Sequence, residues 1–137
     1  MQFSVSALEE LPELARQLVP EIRKHRIVLF NAVMGTGKTT LIAELCRQLG
    51  CTTEASSPTY SLVNEYESAD GIVCHFDLYR LKSMEEAMDI GFEDYLDSGN
   101  ICLVEWPDVA MGLISQSCLE ILITRENQRR TYTLTVL

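Results

Sequence analysis

The stretch from Ile27 to Leu49 constrains the fold more than any other part of the chain. Ile27-Val28-Leu29-Phe30 is a continuous apolar run, the signature of a strand covered on both faces. Gly35-Thr36-Gly37-Lys38-Thr39-Thr40 follows it and opens into Leu41-Ile42-Ala43-Glu44-Leu45, which has a helical pattern. Strand, glycine loop, lysine, hydroxyl and helix in this order build a phosphate-binding P-loop. The glycines let several backbone N–H groups turn toward one anion, and the following helix adds the positive end of its dipole. In such a loop Lys38 reaches the β- and γ-phosphates, and the Thr39 hydroxyl holds Mg²⁺. The consensus has glycine six residues before the lysine, where this chain has Ala32. Alanine fits there if its φ stays negative, since only positive φ strongly penalises a Cβ. The competing reading is a glycine-containing turn with an unrelated lysine.

A chain of 137 residues fits one domain, 1–137, and buries enough surface for an ordinary core. No stretch is long and apolar enough to span a bilayer, and Met1-Gln2-Phe3-Ser4-Val5 lacks the basic-then-apolar design of a signal peptide. The five cysteines, Cys46, Cys51, Cys74, Cys102 and Cys118, show no C-x-x-C spacing and read as buried free thiols in a reducing cytoplasm. Net charge is −9. Neutralising nucleic-acid phosphates needs lysine and arginine, so a chain like this is expected to reach RNA or DNA through partners. Arg23-Lys24-His25-Arg26 and Arg129-Arg130 read as solvated surface.

Around the P-loop, periodicity predicts an α/β sandwich with a mixed parallel and antiparallel sheet flanked by helices. Residues 3–5 read as a short edge strand. Ser6 with Glu9 reads as a capping box opening a helix, with Leu8, Leu11, Ala15, Leu18 and Val19 on its apolar face. Pro12 is tolerable in its first turns, whereas Pro20 is expected to bend or interrupt it. The P-loop helix is expected over 38–49, with Gly50 as its stop. Residues 60–66 and 72–76 are strand-like around the hairpin signal Asp70-Gly71. Ser83 with Glu86 opens a helix to about residue 90, and residues 92–96 add a further turn. Residues 101–104 form another buried strand, and 119–123 and 132–136 alternate like strands across a polar turn.

Chemistry on a bound Mg²⁺-nucleotide needs carboxylates near the phosphates, supplied from strand ends. Glu105 ends Ile101-Cys102-Leu103-Val104, a Walker-B-like run, and Asp77 ends Val73-Cys74-His75-Phe76. Both are expected at the carboxyl edge of the sheet, where open α/β folds place ligands. One is expected to hold Mg²⁺ through Thr39's coordination shell and the other to orient a water; sequence alone leaves the roles unassigned. Thr59 either senses the γ-phosphate, as in GTPase-like switches, or simply turns the chain after Pro58. Arg80 and Arg130 are either phosphate clamps or members of structural ion pairs. His75 shares a strand face with Asp77 and reads as packing or an Asp contact. Trp106 reads as core packing, with stacking on a base or a partner as the alternative.

Six blocks in order now carry a resemblance: Met34-Gly35-Thr36-Gly37-Lys38-Thr39-Thr40, Ser57-Pro58-Thr59-Tyr60, Val63-Asn64-Glu65-Tyr66, His75-Phe76-Asp77-Leu78-Tyr79-Arg80, Gly91-Phe92-Glu93-Asp94-Tyr95 and Leu103-Val104-Glu105-Trp106-Pro107. With them the chain resembles the bacterial TsaE (YjeE) family of small P-loop ATPases, which serve the enzymes making N6-threonylcarbamoyladenosine next to the tRNA anticodon. P-loops are widespread; the blocks containing Asp77 and Glu105 discriminate far more. The resemblance implies a P-loop NTPase-like domain with an ATP site at Gly35, Thr36, Gly37, Lys38, Thr39 and Thr40. It implies Mg²⁺ near Thr39 and Glu105, a part for Asp77 in ATP turnover, and a nucleotide contact from Arg130 in the C-terminal hairpin. Residues 6–8 would lie near the adenine. The family usually has glycine at the position of Ala32, which implies a local difference in the first turn of the loop. The resemblance further implies a cytoplasmic accessory subunit, weakly active alone, that docks near the interface of TsaD and TsaB while those partners hold the tRNA.

Two rivals share the P-loop. A small-molecule kinase closes an arginine-rich lid over its acceptor, and the chain has no obvious insertion for one. A nucleotide-binding adaptor without meaningful hydrolysis is the other.

Overall fold

The computed structural model describes residues 1–32, 37–52 and 62–137. The expectations for Gly35, Thr36 and Thr59 therefore lie outside the described residues, as does the start of the 60–66 strand.

Seven strands form one mixed sheet: β1 Gln2–Val5, β2 Ile27–Ala32, β3 Val63–Ser68, β4 Gly71–Asp77, β5 Ile101–Glu105, β6 Leu119–Glu126 and β7 Arg129–Val136, in the order β1-β7-β6-β2-β5-β4-β3. Strands β6, β2, β5 and β4 run parallel at the centre. The outer pairings, β1 with β7, β7 with β6, and β3 with β4, are antiparallel. Every residue of β5 is buried, as are the first four of β2, which is why those strands read as unbroken apolar runs rather than alternating ones. The tight connection of β3 to β4 places Ser68 opposite Gly71, and Gly71 takes φ +105° beyond Asp70.

Two apolar layers cover the sheet. On one face, α1 (Leu11–His25) and α2 (Lys38–Gln48) pack over Val28, Phe30, Val73, Ile101, Leu103, Ile121 and Tyr132. On the other, α3 (Met84–Asp89), α4 (Phe92–Asp97) and the 3-10 segment Pro107–Leu113 cover Leu29, Cys74, Phe76, Cys102 and Val104. The alternation of side chains along each strand sorts neighbours onto opposite layers: Phe76 meets Phe92 and Tyr95 edge-on at 5.0 and 5.1 Å, while His75 and Asp77 face the α1/α2 side.

Helix α1 corrects three expectations. Its apolar stripe is Leu11, Leu14, Ala15, Leu18, Val19 and Ile22, whereas Leu8 is exposed because it sits in a separate 3-10 turn, Leu8–Glu10. The carboxylate that secures that turn is Glu10, not Glu9: its Oε2 accepts from the backbone N–H groups of Ser6 at 2.6 Å and Ala7 at 2.8 Å. The helix also runs through Pro20 without interruption. Pro20 lies on the exposed side, where the Arg16 carbonyl that loses its N–H donor can be hydrated, while Leu18, Val19 and Ile22 hold the buried side. At the far end of α2 the stop is as expected. Gly50 at φ +85° closes a Schellman motif, with Gly50 N–H to the Arg47 carbonyl at 3.2 Å and Cys51 N–H to the Cys46 carbonyl at 3.0 Å. For α3, Ser83 accepts from the Glu86 N–H at 3.3 Å. Glu86 in turn accepts from Lys82 N–H rather than from Ser83, so only half of that capping box forms.

No helix among the described residues is long and apolar enough to cross a membrane.

Candidate functional site

The parallel strands β2, β5 and β4 end along one edge, with Phe30 opposite Glu105 and Glu105 opposite Asp77. Helix α2 starts just beyond this edge at Lys38, so its dipole directs partial positive charge onto the row of strand ends. Ala32 closes β2 without positive φ, which meets the condition under which alanine replaces glycine there. Gly37 precedes α2 at φ +86°, a conformation that suits glycine. A Cβ on Gly37 would stand 3.1 Å from Arg130 Nη1. The Arg130 guanidinium therefore lies against the loop backbone, brought there by β7, where Arg130 pairs with Val5 of β1 and Arg125 of β6. Residues 6–8 leave β1 directly beside it.

Lys38 is buried, with 8% of its surface exposed, and its Nζ has no hydrogen-bond partner among the described residues. The ammonium rests 3.7 Å from the centroid of the Trp106 ring, a cation–π contact. Burial pushes the Lys38 pKa down; Glu105 and, to a lesser extent, Asp77 are close enough to pull it up. The lysine thus stands among carboxylates without a direct ion pair to either among the described residues.

Trp106 corrects the sequence reading. It is half-buried rather than a core residue, and it stacks under Lys38 and beside Tyr79, ring centroids 5.0 Å apart. Its backbone takes φ +55°, ψ +57°, an unfavourable region for a bulky residue and one that turns the chain sharply between Glu105 and Pro107.

The two acids differ in their surroundings. Glu105 is 3% exposed, and its Oε2 lies 2.7 Å from Nε2 of the fully buried His75. His75 was read as packing or as an Asp contact; its partner is Glu105, across the β4–β5 boundary. Asp77 is half-buried. Its Oδ1 accepts from the Tyr79 backbone N–H at 3.1 Å, and its own N–H is held by the Leu62 carbonyl at 3.1 Å. The Leu78 N–H donates to the Glu105 carbonyl at 3.1 Å, which fixes the two strand ends to each other. Thr39 and Thr40 lie in the first turn of α2 with exposed side chains. Arg80 is exposed on the turn after β4.

The arrangement brings together Gly37, Lys38, Arg130, Glu105 and Asp77. What sequence reasoning missed is the His75–Glu105 hydrogen bond and the seat of Lys38 on Trp106. Both depend on which strand neighbours which, and no local pattern contains that. The donor set fits an anionic nucleotide with Mg²⁺: a desolvated ammonium and a guanidinium over a left-handed glycine suit phosphate, and hydroxyl and carboxylate oxygens suit Mg²⁺. No group of three or more His, Cys, Asp or Glu among the described residues is arranged to hold a metal ion by itself, and Mg²⁺ beside nucleotides needs only one or two protein carboxylates.

The other basic cluster is used structurally. Arg23 pairs with Asp70 at 2.8 Å, and Arg26 donates to the Gly99 carbonyl at 3.1 Å.

Residues 5–132 match the family model described as threonylcarbamoyl adenosine biosynthesis protein TsaE. Among curated proteins, a tRNA threonylcarbamoyladenosine biosynthesis protein TsaE of Rickettsia conorii is 35% identical over 129 residues, covering 93% of this chain and 73% of the relative. The protein of the same name from Haemophilus influenzae is 40% identical over 91 residues, covering 66% of this chain and 58% of the relative. Among solved structures, Bacillus subtilis YdiB shares the fold at a TM-score of 0.68 and 22% identity, covering 99% of this chain and 84% of that one.

Proposed function

The chain belongs to the TsaE family of tRNA threonylcarbamoyladenosine biosynthesis, and we propose that within it the protein is a Mg²⁺-dependent ATPase. It acts in the cytoplasm as an accessory subunit that works with TsaD and TsaB and reaches tRNA through them. The single observation that supports the ATP site best is Lys38: a buried ammonium without a hydrogen-bond acceptor among the described residues, at the head of a helix, beside an arginine that covers a left-handed glycine.

The residues divide the work as follows. The loop amides around Gly35, Thr36 and Gly37 and the first turn at Lys38, Thr39 and Thr40 grip the phosphates. Lys38 leaves the indole face for the β- and γ-phosphate oxygens, exchanging a cation–π contact for charge-assisted hydrogen bonds. Arg130 closes over the same phosphates from the β6–β7 hairpin as a second positive group. The Thr39 hydroxyl and the Glu105 carboxylate would hold Mg²⁺, and that ion would supply neutralisation of phosphate charge. Asp77, whose Oδ1 is fixed by Tyr79 N–H, keeps its second oxygen for the attacking water, which it orients and from which it accepts the proton. The net charge of −9 agrees with a subunit that leaves tRNA phosphates to others. ATP binding favours docking onto TsaB and TsaD, and hydrolysis releases it.

Phosphate release is the test, measured for the wild type, Asp77→Asn and Glu105→Gln, each alone and with TsaB and TsaD. The wild type releases phosphate mainly in the presence of both partners, and each variant loses turnover while still binding nucleotide. Normal tRNA modification by Asp77→Asn, together with a TsaB–TsaD affinity that ignores nucleotide, contradicts the cycle. A phosphorylated product from ATP and a panel of nucleosides or sugars favours a kinase instead, and single-turnover binding without hydrolysis favours an adaptor.

A further inference from the structure

His75 is a fully buried imidazole in the middle of an apolar layer, and burying a polar ring is costly unless it is hydrogen-bonded. Its Nδ1 has no partner among the described residues, so the contact that accounts for it is the one from Nε2 to Glu105 Oε2 at 2.7 Å. As a metal ligand Glu105 is a carboxylate, which only accepts, so in that role the bond is one in which Nε2–H donates. The geometry follows from register. His75 lies opposite Leu103 and Asp77 opposite Glu105 on parallel neighbours, so His75, Asp77 and Glu105 project from one face and the imidazole reaches diagonally to the carboxylate.

Glutamate has a broad terminal torsion, and Mg²⁺ tolerates little departure from octahedral geometry. A carboxylate serving it gains from having one oxygen tied. Resting on the assignment of Glu105 to Mg²⁺ made above, we propose that His75 is the positioning residue of that ligand. It holds Oε2 and sets the carboxylate plane, so that Oε1 is the oxygen offered to the cation. Partners of this kind orient metal ligands, and their loss reduces metal affinity without removing a ligand.

The test uses the full chain with Mn²⁺ and ADP as probes. Mn²⁺ affinity of the protein–ADP complex is read by electron paramagnetic resonance, and ADP affinity in EDTA by calorimetry. His75→Leu is expected to weaken Mn²⁺ binding by about 10–100-fold and to leave ADP binding in EDTA unchanged. His75→Gln, whose amide can donate to the same oxygen, recovers most of the loss. Wild-type Mn²⁺ affinity in His75→Leu overturns the inference, as does a parallel loss of metal-free ADP binding, or a Gln variant no better than Leu. Should His75→Leu not fold, His75→Asn takes its place: the shorter amide must bind Mn²⁺ more weakly than His75→Gln does, and equality overturns the inference. Glu105→Gln separates the two layers. Weak Mn²⁺ binding there with normal binding in His75→Leu defeats the positioning role alone. Normal Mn²⁺ binding in Glu105→Gln defeats the metal assignment and the positioning role with it.

Discussion

Replacing Lys38 by methionine should make the nucleotide-free protein more stable while removing its nucleotide site. Lys38 carries a charge at 8% exposure with no hydrogen-bond partner among the described residues. A buried polar group left in that condition costs about 1–3 kcal/mol, and a cation–π contact over an indole offsets about 0.5–2 kcal/mol of it. The net burden is on the order of 1 kcal/mol, which methionine, of similar reach and able to pack on Trp106, relieves. In a chain of this length that corresponds to a Tm rise of about 3–5 °C. The pH dependence has a definite sign. Burial lowers the folded pKa below the value of 10.5, so between the two values the unfolded chain binds more protons and wild-type stability rises with pH. The stability gap between Lys38→Met and the wild type is therefore full below the lowered folded pKa and closes as pH climbs through it toward 10.5. Nucleotide binding moves the other way. Two charge-assisted hydrogen bonds are lost at about 1.5–3 kcal/mol each, which weakens ATP binding by at least about a hundredfold. Differential scanning fluorimetry across pH and calorimetry with ATP read both effects. A variant that melts below the wild type at pH 7, or one that keeps ATP affinity, would refute the account of Lys38 as a desolvated charge held for phosphate.

Three further outcomes follow from particular residues. Gly37→Ala places a Cβ at φ +86°, 3.1 Å from Arg130 Nη1; it should cost about 1–2 kcal/mol of stability and weaken ATP binding by displacing the guanidinium, and unchanged melting and affinity would contradict the close approach. Pro20→Ala restores an N–H to an exposed helix interior and should stabilise the protein by about 1–3 kcal/mol in urea unfolding, whereas a loss of stability would mean the proline makes a contact that alanine cannot. Among the cysteines, Cys51 is half-exposed and the other four are buried, with burial pushing the Cys46 and Cys118 thiols up; alkylation at pH 8 followed by peptide mapping should mark Cys51 first, and early labelling of Cys74 or Cys102 would contradict their place under α4.

The covered strands were legible because burial on both faces leaves a contiguous apolar trace, as at Ile27 and at Ile101. The Schellman stop at Gly50 and the hairpin at Asp70-Gly71 were legible because each is decided within a few residues by backbone conformation. The errors lay where local signals compete. Ser6 with Glu9 and Ala7 with Glu10 offer two entries to one helix, and the chain takes the second, which turns Leu8 out to solvent. At Pro20 the propensity argument pointed to a break, and the apolar stripe from Leu11 to Ile22 carried the helix through it.

For the site the division is sharper. The amino-acid order alone determined a strand, a glycine at the head of a helix, a lysine, and two acids each closing an apolar run, since chain connectivity and local sterics require nothing distant. Only the tertiary structure decided that β5 lies between β2 and β4, that a hairpin near the C-terminus brings Arg130 to Gly37, and that His75 and Trp106 attend Glu105 and Lys38. Those contacts join residues far apart in the chain, and they arise from the pairing of whole strands, which the burial of both sheet faces selects collectively.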